Sequence, residues 1–277
     1  MGTPWDRAAE GYLEEWVPRF VPYHLDLVGE LALHPGEHVL VASAGPGAEV
    51  LAVARVVGPS GFVRATDRSE EMVRICREQV SRAHLAAPVE SAVADAGDAS
   101  GGPWDAVVCA FGLWQLTARA ETLRAWASAL APRGKVGLIT WGPGDPEEPF
   151  QLLTACLHEL EPSLALPDPQ VDATRDSMAA MLEASGLAMV RHTVVRHTLI
   201  FRSAEAFVHA MREACTWRRI WEELGDARME RVAARFFGRV GGRDVPLSFA
   251  PPATLAIAAL PGAQVELQGR PSVRALP

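Results

Sequence analysis

Apolar and polar positions follow two rhythms along this chain. After His38 the run Val39 to Ala42 is wholly apolar, too short for a helix, and reads as a strand buried on both faces. A small-residue loop, Ser43 to Ala48, and a helical run from Glu49 to Val57 come next, and then a second apolar strand from Phe62 to Thr66. Extended over the first half, the pattern predicts strands near 38–42, 62–66, 89–94, 105–110 and 135–141, with helices near 48–57, 69–84 and 117–130. Strand–helix alternation of this kind implies a parallel sheet with helices on both faces. Ser69 is a good N-cap, and Glu70 and Glu71 suit the first turn behind it. Ahead of this core, Trp5, Ala8, Tyr12 and Trp16 recur at helical spacing, and Pro18 and Pro22 are expected to break the pattern before a second helix ending at Leu33. Beyond Trp141 the texture changes. A loop at 142–149 leads to helices near 149–161 and 174–185, a long β-like run from Ala188 to Phe201, helical residues 203–238, a last strand from Ala253 to Leu260 and a weakly ordered tail.

The loop between the first strand and helix carries the chemistry. Gly45 and Gly47 let backbone N–H groups at a helix N-terminus approach a ligand closely. Asp67 ends the next strand, twenty residues after Gly47, where a carboxylate accepts two hydrogen bonds from a ribose diol. A dinucleotide fingerprint wants a small residue three places after the second glycine, and Val50 stands there, which argues against NAD. Asp95 closes a second acidic strand end beside Ala96 and is placed to accept from an adenine amine, with Asp98 close enough to do the same. Ribose and adenine recognition without pyrophosphate suggests S-adenosylmethionine (SAM).

At this point the chain resembles the class I SAM-dependent methyltransferases, in particular the ubiquinone/menaquinone C-methyltransferase-like group. The resembling runs are Val39-Leu40 through Gly45-Pro46-Gly47, Val57 to Val63, Thr66-Asp67-Arg68-Ser69-Glu70-Glu71-Met72, Trp104 to Val108, and Leu130-Ala131-Pro132-Arg133-Gly134-Lys135-Val136. Together they span residues 30–142 in family order. The resemblance implies an α/β, Rossmann-like, mostly parallel seven-stranded sheet with an antiparallel last strand and helices on both faces. It further implies a helical cap from the N-terminus and from an insertion before the last strand. The expected division is a cap at 1–33, a SAM-binding core at 34–202, a helical lid at 203–246, a last core strand at 247–262 and a tail at 263–277. The family carries an acid where this chain has Val41, Gly or Ala where it has Ser43, and Gly where it has Arg133. Valine cannot accept a hydrogen bond, so SAM should bind about 1–2 kcal/mol more weakly than in relatives with the acid, unless another acceptor compensates.

Composition narrows the partners. The 277 residues are 49% apolar, enough for a large core, and the net charge of −8 with no basic cluster argues against nucleic acid. Cys76, Cys109, Cys156 and Cys215 are widely spaced and read as free thiols in a reducing cytoplasm, with no zinc site or other metal centre. There is no signal peptide pattern at the N-terminus and no apolar run long enough to span a membrane.

The cofactor candidates are Tyr12, Ser43, Gly45, Gly47, Asp67, Arg68, Met72, Asp95, Ala96, Ala110 and Phe111. Tyr12 would close over the sulfonium or simply anchor its helix, and Met72 would cover adenine or fill the core. Trp114, Trp141 and Trp217 are candidates for the acceptor wall, with core packing as the plainer role. Methyl transfer needs near-attack geometry and exclusion of water, and a base only when the acceptor must lose its proton early. His24, His158 and His209 lie on segments able to cover the pocket and are the candidate bases. Aromatic residues cluster in the two cap segments, which suits a hydrophobic or aromatic small molecule. The expected activity is methyl transfer from SAM to O, N or C of a small, largely apolar metabolite, quinone-like or from secondary metabolism. The alternatives are a SAM-binding protein that catalyses a cyclisation and a non-catalytic binding protein.

Overall fold

A computed structural model describes residues 3–164 and 174–267. Five strands, β1 (His38–Ala42), β2 (Phe62–Asp67), β3 (Val89–Val93), β4 (Trp104–Ala110) and β5 (Leu130–Trp141), lie parallel, and β6 (Ala188–Arg196) and β9 (Pro252–Ala259) complete the sheet. The order is β3-β2-β1-β4-β5-β9-β6, with β9 antiparallel to both neighbours. Helices α3 (Ala48–Val57), α4 (Glu70–Arg82) and α5 (Arg119–Ala129) make the crossovers. The central strands are largely apolar because both of their faces are covered: β1 is buried from Val39 to Ala42, and β9 along its whole length. Strand order reverses between β1 and β4, and a crevice forms there at the carboxyl edge, where open α/β sheets bind ligands.

The N-terminal segment forms α1 (Pro4–Glu15) and α2 (Val17–Glu30), so the expected break is displaced. Pro18 sits in the first turn of α2, where no N–H bond is lost, and Pro22 lies inside the helix. Burial of Phe20, Tyr23, His24, Leu27 and Val28 along one face holds α2 together across the missing bond. The junction is at Trp16, whose indole Nε1 donates to the Ala210 carbonyl at 2.8 Å.

The long β run after Ala188 is two strands. β6 ends at Arg196, and β7 (Leu199–Phe201) pairs with β8 (Leu247–Phe249) in a separate ribbon that the apolar pattern does not distinguish from the main sheet. The break is held by Tyr23, whose hydroxyl donates to the Pro251 carbonyl at 2.7 Å and accepts from the His197 N–H at 3.1 Å. The ribbon brackets α8 (Ala204–Arg212), α9 (Cys215–Leu224) and α10 (Asp226–Val240). On the remaining flank, α6 (Pro149–Leu160) meets α10 through ion pairs of Glu159 with Arg235 and Arg239, and α7 (Arg175–Glu183) precedes β6. Leu267 is partly buried against the core, and residues 268–277 lie outside the described residues.

Candidate functional site

The crevice floor is built from three strand ends. After β1 the chain turns through Ser43, whose φ of +55° is a left-handed value that serine pays to adopt. The Gly45 N–H then points at Asp67 and donates to Oδ2 at 2.9 Å, while Oδ1 of Asp67 accepts from the Ser69 N–H at 2.9 Å. Asp67 therefore ties the glycine loop to the start of α4, with lone pairs to spare on each oxygen. Burial raises its pKa, and the backbone donors offset only part of that rise. Opposite, Phe111 after β4 also has a left-handed φ of +54°, and a Cβ at Gly112 would fall 2.5 Å from that of Ser43. Glycine at 112 is what lets the two loops approach.

These loops enclose a cavity of about 190 Å³. It is lined by Tyr12, Ser43, Gly45, Asp67, Arg68, Met72, Ala110 and Phe111, eight of the eleven cofactor candidates. The remaining three do not face it. Gly47 caps α3 with φ +93° and abuts Cys76. Ala96 is buried in the core, with its carbonyl taken by Trp126 Nε1 at 2.7 Å. Asp95 is mostly exposed, accepts from the Gly97 N–H at 2.9 Å and lies 3.9 Å from Arg68. Asp98 is engaged by Arg64 at 3.1 Å.

A second cavity of about 370 Å³ adjoins the first. Trp5, Tyr12, Phe111 and Gln115 line both, and Trp5 Nε1 donates to Gln115 Oε1 at 2.9 Å, joining α1 to the loop after β4. Trp114, Trp141 and Trp217 all face this larger space. Trp141 stacks on Phe111 with centroids 4.4 Å apart. His158 also faces it. The other two candidate bases do not: His209 is exposed on α8, and His24 is buried behind Phe111.

His24 has an unforeseen partner. Its Nδ1 lies 3.4 Å from Oε2 of Glu49, and both side chains are almost wholly buried. Burial pushes the imidazole down to about 4 and the carboxyl up to about 8, so both are neutral near pH 7. Once ionised, above about pH 8, the glutamate would also raise the pKa of Tyr12, Cys76 and Cys109, and Asp67 helps to hold its own pKa up. Val41, by contrast, is fully buried and paired in register with Ala65 and Val108. The sequence signal for Glu49 was an acid in the first turn of a helix with an otherwise apolar face.

The described residues hold no group of His, Cys, Asp and Glu able to bind a metal, and no helix of theirs is long and apolar enough to cross a membrane. The four cysteines are buried and unpaired.

Known proteins resemble this chain in sequence and in fold. Residues 39–134 match the methyltransferase domain family model. Over 109 residues the chain is 33% identical to the ubiquinone/menaquinone biosynthesis C-methyltransferase UbiE of Bordetella parapertussis, a match spanning 39% of this chain and 42% of that relative. A SAM-dependent methyltransferase from Aquifex aeolicus superposes with a TM-score of 0.52 at 19% identity, covering 67% of this chain and 91% of that one. The [4+2]-cyclase SpnF superposes with a TM-score of 0.56 at 17% identity, covering 86% and 80%. Residues 39–134 therefore match a methyltransferase domain and resemble the ubiquinone/menaquinone C-methyltransferases in sequence, on a fold shared with solved SAM-dependent methyltransferases, and the chain spans less than half the length of the curated relatives it matches.

Proposed function

We propose that the protein is a SAM-dependent methyltransferase acting on a small, largely apolar metabolite, quinone-like or from secondary metabolism. The observation that carries this reading is the pair of adjoining cavities with a common wall at Trp5, Tyr12, Phe111 and Gln115. The smaller cavity suits a nucleoside: Asp67 keeps lone pairs for a ribose diol, and Met72 and Arg68 line the same cavity. Gly47 supports this cavity by letting α3 start close to Cys76 rather than by lining it. When bound, SAM supplies an activated methyl group on a charged sulfur. The aromatic wall excludes water from the junction and holds the acceptor edge toward Tyr12 and Phe111. His158 is the histidine placed to take a proton from an acceptor in the larger cavity. The N-terminal helices and residues 203–246 serve as a cap over this edge, on a cytoplasmic enzyme with reduced cysteines.

Calorimetry with SAM and S-adenosylhomocysteine tests the cofactor site. Asp67→Asn keeps an oxygen acceptor for the loop but loses the charge, and SAM affinity should fall by about 1.5–3 kcal/mol, roughly 10- to 150-fold. Unchanged affinity removes Asp67 from the ribose site. Methyl transfer to a panel of phenols and amines then separates this activity from a cyclisation or from binding without turnover.

A further inference from the structure

The larger cavity has two kinds of wall. Glu148, Gln151, Thr154 and His158 all line it; Glu148 is the N-cap of α6 and the other three follow it on the helix at positions 3, 6 and 10. At about 100° per residue these positions share one face, and at 1.5 Å per residue they form a polar stripe about 15 Å long. Its hydrogen-bonding capacity is largely free. Gln151 and His158 have no side-chain hydrogen-bond partner among the described residues. Thr154 Oγ1 donates to the Phe150 carbonyl at 2.9 Å and can still accept. Much of the rest of the wall is aromatic, with Trp5, Trp16, Phe20, Trp141 and Trp217 the main rings.

Charge in the same cavity is one-sided. No Arg or Lys lines it among the described residues, and Glu148, whose pKa burial raises, is its one carboxylic acid. The Arg196 guanidinium, on β6, is 3.7 Å from Glu148 and does not line the space. An anionic acceptor entering this cavity would give up hydration and meet no arginine or lysine in return. A purely aliphatic acceptor would strip water from the stripe and leave Gln151 and His158 unpaired.

Resting on the reading of this cavity as the acceptor site, we infer that the acceptor is an uncharged, flat, fused-ring aromatic bearing hydroxyl or carbonyl oxygens along one edge. The ring faces lie against the tryptophans and the oxygenated edge lies along α6. The stripe's length matches a linear three- or four-ring system rather than a single phenol. One hydroxyl near the Phe111 end, or a ring carbon beside it, is the methylated position.

The test uses the full chain and quenching of tryptophan fluorescence, with 1,8-dihydroxyanthraquinone, anthraquinone, anthraquinone-2-carboxylate and 1-decanol as probes. The expected result is tightest binding of the dihydroxy compound, at least tenfold over each of the others. In Gln151→Leu the preference for dihydroxyanthraquinone over anthraquinone should fall about tenfold, with SAM affinity on the same preparation unchanged. Equal or tighter binding of the carboxylate or of decanol by the native protein overturns the inference, and so does an unaltered preference in Gln151→Leu. The ranking on the native protein decides the matter even if that variant does not fold. SAM calorimetry on the same samples keeps the two readings apart. SAM binding without the ranking sinks only the acceptor class, whereas no SAM binding sinks the proposed activity itself.

Discussion

Ser43 shows how one residue sets the local geometry of the crevice. Its left-handed backbone is where a glycine would sit without strain, and the glycine requirement has moved across the crevice to Gly112, whose missing Cβ makes room for the serine. Ser43→Gly should therefore stabilise the fold by about 0.5–1 kcal/mol, less the entropy glycine adds to the unfolded chain, as read by thermal unfolding. A clear loss of stability would mean that the Ser43 hydroxyl, which lies against Cys109, is worth more than the strain. Val41 has the opposite character. It is a fully buried packing residue in the centre of the sheet, in register with Ala65 and Val108.

At the scale of elements, the buried contact between α2 and α3 makes stability depend on pH. Glu49 holds its proton in the folded state up to about pH 8, whereas in the unfolded chain it releases it near its ordinary value. The folded state thus loses ground as pH rises between those values. His24 acts oppositely: the unfolded chain takes up a proton first, so stability falls as pH drops through 6.5 toward 4. Below pH 6.5 the two slopes largely cancel. From pH 6.5 to 8 Glu49 acts alone and should cost about 1–2 kcal/mol. Urea unfolding at pH 6.5, 7.25 and 8 reads this slope, and Glu49→Gln should flatten it. A slope that persists in the variant assigns it to another group. The N-terminal helix is bound just as specifically at its start: Asp6, held in its capping box by Thr3, accepts from the Ser69 hydroxyl and from the Glu71 N–H at 3.2 Å. That contact places Trp5 and Tyr12 beside the Asp67 loop.

At the scale of the whole molecule, α1, α2, α6, α8 and α9 enclose the space above the ends of β4 and β5. The cap is tied together by few buried polar contacts and many surface ion pairs, such as Arg7 with Glu222 at 2.8 Å and Arg228 with Glu161 at 3.4 Å. Exposed pairs of this kind contribute little each, so the cap should open locally more readily than the sheet. Hydrogen exchange with SAM and dihydroxyanthraquinone together should protect residues 1–30 and 203–246 beyond what SAM alone achieves. Protection limited to the glycine loop would mean that the cap does not close on the acceptor.

The sequence by itself determined the strand–helix alternation, the doubly covered sheet and the glycine loop with Asp67, because all of these are written in periodicity and in local turn chemistry. Eight of the eleven cofactor candidates meet in one cavity for the same reason: they lie within a few residues of strand ends or on the first amphipathic helix. Only the tertiary structure decided which of two acidic strand ends faces inward, since the direction of a side chain after a strand depends on the loop that follows; Asp95 turned to Gly97 and to solvent. It alone brought His24 to Glu49, paired β7 with β8 and aligned the polar face of α6 with the tryptophans, because each of these joins segments far apart in the chain. Pattern within a segment records which face is buried; it does not record what that face is buried against.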